Sequence, residues 1–371
     1  MNTAFSLLST LPLHDDRSLG TNVTPRAPAT KSVLGEVDVD AGIVRVDGSA
    51  VARFQGKDQA NDSLTLSPVD LDAPGGGSAW SALPVALYSL FAWRPALRLV
   101  TLDLDPQTDL AAWLSRTGIA TVRKNSLGDA ELCCLRSMLW QHAPLWSTGA
   151  RSADYPLHYT VSDGKRHPLR PPVPTGTVYR RHVPELDVVV SLRTIDPNED
   201  LDVFHRWMND PRVARFWELA GDRDHHARYL ASILADPHVH PLVGLFNEEP
   251  FGYFEAYWAK EDRIAPFYAV DDYDRGIHML VGEDRWRGPQ RVAAWLPSLV
   301  HYLFLADSRT RSVVAEPRAD NAKMISYLQR AGFFREKEFD FPHKRAAMMI
   351  LRRETFFDQI APAGPTADLH R

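Results

Sequence analysis

Asp271–Gln290, DDYDRGIHMLVGEDRWRGPQ, decides the fold, because an extended apolar segment with one histidine runs straight into an Arg- and Gly-rich turn that opens a helix. Ile277, Met279 and Val281 alternate with His278 and Leu280, so the spacing predicts a strand whose His278 faces away from one apolar layer. The turn Arg285-Trp286-Arg287-Gly288-Pro289-Gln290 follows, and Arg291–Phe304 (RVAAWLPSLVHYLF) has a largely apolar helical face. Backbone N–H groups at such a helix start, freed by a glycine and flanked by arginines, form a site for a pyrophosphate.

Strand, turn and helix together resemble motif A of the GNAT acetyltransferases. Its pyrophosphate loop, Q/R-x-x-G-x-G/A, finds Arg285, Gly288 and, with a side chain where the loop usually keeps almost none, Gln290. Downstream, Ser312–Ala315 is a short β-branched strand, Asn321 opens a helix, and the helix closes on Tyr327-Leu328-Gln329-Arg330-Ala331-Gly332-Phe333. That arrangement resembles motif B of the same superfamily. Longer words sharpen the likeness: NDPRVARFWE (209–218), PFGYFEAYWAKEDRI (250–264), DYDRGIHMLVGE (272–283), AWLPSLVHYLFL (294–305), EPRADNAKM (316–324) and KEFDFPHKRA (337–346). They look like the siderophore-biosynthesis branch, the aerobactin-type N6-hydroxylysine acetyltransferases and their relatives, over roughly Val188–Phe357.

The resemblance implies an α/β GNAT fold, a mixed, splayed sheet with helices on both faces, in the C-terminal half. It also implies acetyl-CoA, or another acyl-CoA, as co-substrate, and no metal. The expected reaction is acylation of an N-hydroxylated amine, first of all N6-hydroxylysine, to give the hydroxamate of an iron chelator. The alternatives are an N-hydroxyornithine or N-hydroxydiamine acceptor, a longer acyl donor, or a non-catalytic scaffold in the same assembly. Association with other siderophore-biosynthesis enzymes is a further expectation.

Amide formation from a thioester needs an uncharged nitrogen nucleophile, an oxyanion donor and a proton source for the thiolate. An N-hydroxylated amine is far less basic than an alkylamine, so one imidazole suffices as base, and His278 is the candidate. The family words put the partner role on Asp320, which would orient the ring and stabilise its cation. By the same likeness, backbone amides of Met279, Leu280 and Val281 receive the pantetheine arm. Arg285, Arg287, Gly288, Pro289, Gln290 and Arg291 meet the pyrophosphate, and Asn321 and Lys323 approach the pantetheine or a nucleotide phosphate. Trp217, Glu218, Tyr253, Glu255, Trp258 and Asp262 set aromatics beside acids, suited to a methylene chain ending in an ammonium.

The 371 residues are 44% hydrophobic and 10% aromatic, enough for two cores. A net charge of -5 argues against a general nucleic-acid partner. The adjacent Cys133 and Cys134 fit a reducing cytoplasm, and no segment reads as an export signal or a membrane span. Residues 1–35 read as a loose leader, 36–166 as a small α/β or α+β domain, 167–187 (with HPLRPPVPTG) as a stiff linker, 188–358 as the GNAT domain and 359–371 as a flexible tail. A purely structural or dimerising first domain is preferred over a degenerate copy of the catalytic fold. In it, Gly42–Val46, Ala50–Phe54 and Leu97–Leu104 read as strands, and Leu83–Phe91, Leu110–Ser115 and Ala130–Trp140 as helices.

Overall fold

A computed structural model describes residues 2–7, 33–55, 63–68, 77–94, 96–147 and 155–360. The chain forms two units, the first mainly Met1–Thr148 and the second Gly149–Val183 with Asp187–Ile360. No helix among the described residues is long and apolar enough to cross a membrane.

The first unit is an eight-stranded sheet in the order β1-β2-β3-β4-β5-β6-β8-β7. Its strands are β1 (Asn2–Leu7), β2 (Val33–Asp38), β3 (Ile43–Val46), β4 (Ser49–Gln55), β5 (Ser63–Pro68), β6 (Leu99–Leu102), β7 (Thr121–Lys124) and β8 (Ala130–Leu135). Helix α1 (Gly77–Trp93) joins β5 to β6, and α2 (Asp109–Arg116) joins β6 to β7. Two expectations change here. Ala130–Leu135, read as helical, is a strand and only Arg136–Leu139 (α3) is helical. Leu132, Cys133 and Cys134 are all buried, and a strand covered on both faces shows no alternation to read. Part of the expected leader, Asn2–Leu7, pairs with Val33–Asp38. The glycine-rich break at Gly75-Gly76 and the tail from 361 lie outside the described residues.

In the second unit, β9 (Tyr159–Ser162) and β10 (Lys165–Pro168) form a hairpin beside a second eight-stranded sheet, β11-β12-β13-β14-β15-β16-β18-β17. Here β11 is Thr177–Val183, β12 Val188–Thr194, β13 Val239–Phe246, β14 Glu249–Trp258, β15 Arg275–Val281, β16 Ser312–Ala315, β17 Phe334–Asp340 and β18 Arg345–Arg352. The expected linker is therefore structured: its end is β11, paired with β12 along Thr177–Val183, and Lys165–Pro168, across its start, belongs to the hairpin. Helices α4 (Pro197–Met208), α5 (Pro211–Trp217) and α6 (Arg223–Ala235) lie between β12 and β13, α7 (Pro289–Ala306) between β15 and β16, and α8 (Ala322–Arg330) between β16 and β17. The starts of α4 and α5 are written in the sequence as Asp-Pro. Asp196 and Asp210 cap them through Asn198 and Arg212 N–H, and proline at the first helical position removes a donor that would lack a partner.

Both sheets have the same strand order, and in both every pair is antiparallel except the fifth with the sixth. The first unit thus repeats the topology of the second. Two differences separate them. β5 and β6 pair at four positions, Ser63–Leu66 with Leu99–Leu102, whereas β15 and β16 pair at Arg275 and Gly276 alone. The first unit also connects β2 to β3 directly, where the second inserts α4–α6.

The core of the second unit fixes β15 from both sides. Beneath α7, Phe254 stacks on Trp295 at 5.1 Å and Phe246 on Phe251 at 4.3 Å. On the other face Phe204, Trp207, Met208 and Leu230 close over Tyr253 and Leu280. Each such large apolar side chain contributes about 2 kcal/mol on burial.

Candidate active site

Because β15 leaves β16 after Gly276, the β16-facing edge of Ile277–Val281 has no strand partner among the described residues. Unpaired amides on a strand edge accept an extended chain, as a pantetheine arm is. Met279 sits in this gap and lines the pocket described below, while Leu280 is buried in the core. Arg212 of α5 donates to the carbonyls of Val281 (2.8 Å) and Gly282 (3.2 Å), fixing where the strand ends.

The turn beyond has the expected features. Gly288 stands at the start of α7 with φ 114° and ψ 161°, a region that only glycine occupies at low cost, and no side chain caps the helix. With Pro289 lacking an N–H, the amides of Gln290 and Arg291 form the open helix start. Arg285 is paired with Glu249 (3.0 Å) and Arg287 with Asp284 (2.9 Å), both half-exposed or more, so a pyrophosphate would compete with surface carboxylates for them. The Arg291 guanidinium lies over Trp286 at 4.8 Å. Asn321 caps α8 by accepting from Met324 N–H (3.2 Å), and Lys323 is exposed.

A pocket of about 480 Å³ opens where the strands part, lined among others by Trp217, Tyr229, Glu255, Tyr257, Asp262 and His278. Cross-strand register places His278 directly opposite Glu255. Its Nδ1 meets Glu255 Oε2 at 2.9 Å, and its Nε2 meets Glu316 Oε1 at 2.6 Å. Glu316 also accepts from Tyr257 (2.7 Å), and Glu255 from Tyr253 (3.0 Å) and Tyr229. Gly276 makes this possible, since a Cβ there would fall 2.0 Å from the Tyr257 ring.

Burial opposes charge on the ring, but the Glu316 charge and the hydrogen bonds to both carboxylates outweigh it and push His278 up to about 10. Burial likewise opposes charge on Glu316, yet His278 and Lys344 hold it down at about 2. The free site therefore holds an imidazolium between two carboxylates.

Asp320 is not part of this array. It pairs with Arg318 (3.2 Å) and its side chain is 63% exposed, and the carboxylates that meet His278 are those of Glu255 and Glu316. Trp258 is also displaced. It lies on the opposite face of β14 from Glu255, with Arg170 and Arg275 stacked on it at 4.2 and 4.0 Å. Glu218 ends α5 in a left-handed conformation, exposed and outside the pocket lining. Trp217, Glu255 and Asp262 do line the pocket, and Tyr253 backs it through Glu255. Sequence reading gave no role to Glu316, Tyr257, Tyr229 or Arg263, and left Lys344 open. Lys344 donates to the Glu316 carbonyl at 2.8 Å.

A group of His167, His238 and Glu261 has metal-ligand chemistry. Glu261, however, accepts from two Arg170 nitrogens, one at 2.7 Å, and lies 2.9 Å from His167 Nδ1, so a guanidinium already supplies its counter-charge.

Comparison with known proteins identifies the family. The family described as an acetyltransferase (GNAT) domain matches residues 196–341. An Escherichia coli protein named N(6)-hydroxylysine O-acetyltransferase is 44% identical over 226 residues, 61% of this chain and 71% of its own. A Beauveria bassiana protein named N(5)-hydroxyornithine:cis-anhydromevalonyl coenzyme A-N(5)-transacylase is 37% identical over 80% of this chain and 75% of its own. A hydroxyornithine transacylase of Ajellomyces capsulatus is 36% identical over 78% and 73%. The last two alignments cover more of the chain than the second unit contains, so they extend into the first.

Proposed function

The chain belongs to the GNAT acyltransferases that include these hydroxylysine and hydroxyornithine enzymes and is an acyl-CoA-dependent N-acyltransferase of hydroxamate formation; from that premise we propose that it acetylates the side-chain nitrogen of N6-hydroxylysine. The observation that carries the reading is His278, clamped between Glu255 and Glu316 beside the unpaired edge of β15. We place the reaction in the cytoplasm, where acyl-CoA is abundant and the free, buried Cys133 and Cys134 are at home.

Charge reassigns the roles. An imidazole already protonated at neutral pH is an acid, not a base. In the free site both ring nitrogens are engaged, so the acceptor must take one carboxylate over. Its N–OH donates to Glu316, displacing the ring and turning the Nε2–H toward the thioester sulfur. The neutral nitrogen attacks the carbonyl carbon, and its N–H, made acidic by bond formation, passes to Glu316. The C–S bond breaks as His278 protonates the thiolate. A proton moving from Glu316 back to His278, across the contact they make at 2.6 Å, resets the site. An amide on the open edge of β15 receives the oxyanion. Arg285, Arg287, Gln290 and Arg291 hold the pyrophosphate at the start of α7, and Asn321 and Lys323 lie along the path of the pantetheine and nucleotide.

The test is thiol release from acetyl-CoA with N6-hydroxylysine, lysine, N5-hydroxyornithine and N-hydroxycadaverine, with the product assayed as its coloured ferric hydroxamate. Turnover of N6-hydroxylysine above the others, with colour, is expected. Thiol release without colour would mean O-acylation, and preference for hydroxyornithine or the diamine would replace the acceptor.

A further inference from the structure

The carboxylates of the pocket are not equivalent. Glu255 and Glu316 are fully occupied by tyrosines and His278. Asp236, at the rim, is paired with His238 at 3.2 Å. The side chain of Asp262 has one hydrogen-bond partner among the described residues, the N–H of Ile264 at 2.9 Å. Its neighbour Arg263 turns away, over Phe341 at 5.1 Å and toward Glu316 at 3.8 Å. Burial, and after it the nearby Glu316 charge, push the Asp262 carboxyl up, against the Ile264 hydrogen bond and the more distant His278 and Arg263 charges, which favour its ionised form. Asp262 is half-buried, opens into the cavity and forms no ion pair among the described residues, so a cation that arrives with the ligand can complete it.

The backbone is built to hold that carboxylate in place. Asp262 lies in the turn after β14, where its carbonyl accepts from Lys165 Nζ at 3.0 Å and from Ala265 N–H at 3.3 Å. Tyr229, Ile233, Val239, Trp217 and Ile277 also line the cavity, an apolar wall for a methylene chain. Arg263 and Lys344 line it as well and suit a carboxylate carried beside the cation.

We propose that Asp262 is a specificity residue that receives the remote ammonium of the acceptor, so that the site selects ω-N-hydroxy-α-amino acids over hydroxylated amines with no second nitrogen. The proposal rests on the function given above. It makes Asp262 a binding group whose effect depends on one atom of the substrate.

The test compares N6-hydroxylysine with 6-(hydroxyamino)hexanoic acid, which keeps the chain and the carboxylate but lacks the ammonium. Asp262→Asn is expected to raise KM for N6-hydroxylysine by about tenfold to hundredfold, with kcat within about twofold, and to leave KM for the hexanoic acid unchanged. Asp262→Glu, which keeps the charge, is expected to recover most of the loss. A thermal shift with acetyl-CoA checks that each variant is folded. Equal losses on both substrates, or a fall in kcat with KM constant, would overturn the anchor while leaving the acyltransferase reading intact. Wild-type enzyme that turns over the hexanoic acid as well as N6-hydroxylysine would overturn the anchor without any variant. Wild-type enzyme inactive on every hydroxylated amine, though it binds acetyl-CoA, would overturn the acceptor class and the anchor with it.

Discussion

At the scale of single residues, His278 is stabilised as a cation by groups that are themselves costly to bury. Its folded pKa lies above the unfolded value, so the stability it contributes is complete below about 6.5 and is lost as pH rises through about 10. Glu316→Gln removes the larger charge, and the ring's midpoint, followed by NMR of its Cε1 proton, is expected to fall from near 10 toward neutrality. A midpoint that stays near 10 would return the shift to Glu255. The same variant should lower kcat by about a hundredfold or more. His278→Ala leaves Glu255 and Glu316 facing one another, with side chains 7% and 0% exposed, at a cost on the order of 3 kcal/mol near neutral pH. That deficit should shrink on acidification, because two uncompensated buried carboxyls take up protons at higher pH than in the unfolded chain. Melting temperatures of variant and wild type at pH 5 and 7 decide it, and a constant gap would show that the loss is one of packing.

At the scale of elements, what could be read was what repeats along the chain. The alternation of β15 and the apolar face of α7 were legible as periods, and Gly332 marked the end of α8. Asp320 stands apart from His278 because a word such as R-A-D-N fixes the order of residues but not which side chains turn inward. Glu316 was within reach. Continuing the parallel register of Arg275 with Val313 and Gly276 with Val314 brings Glu316 level with His278. What no period encodes is the parting of β15 from β16, which depends on tertiary packing. Gly288 is the element-level test of the cofactor site. Alanine there meets nothing within 4 Å, so the change acts through the backbone alone. Strain on the order of 1–3 kcal/mol should move the loop and weaken acetyl-CoA binding by about tenfold or more, read by calorimetry. Unchanged binding would take the pyrophosphate away from this turn.

At the scale of the whole molecule, one strand order occurs twice in a single chain, and only the second occurrence has a parted fifth and sixth strand. Titration with acetyl-CoA should therefore saturate at one equivalent per chain. Two equivalents would mean that the first unit keeps a slot of its own. Among its described residues the first unit has no counterpart of α4–α6, the helices that supply Trp217 and Tyr229 to the pocket of the second. The first sheet is thus a built-in comparison for the second. Where the fifth and sixth strands pair along four positions, their edge amides are spent on each other, and an extended ligand has no edge there to add itself to.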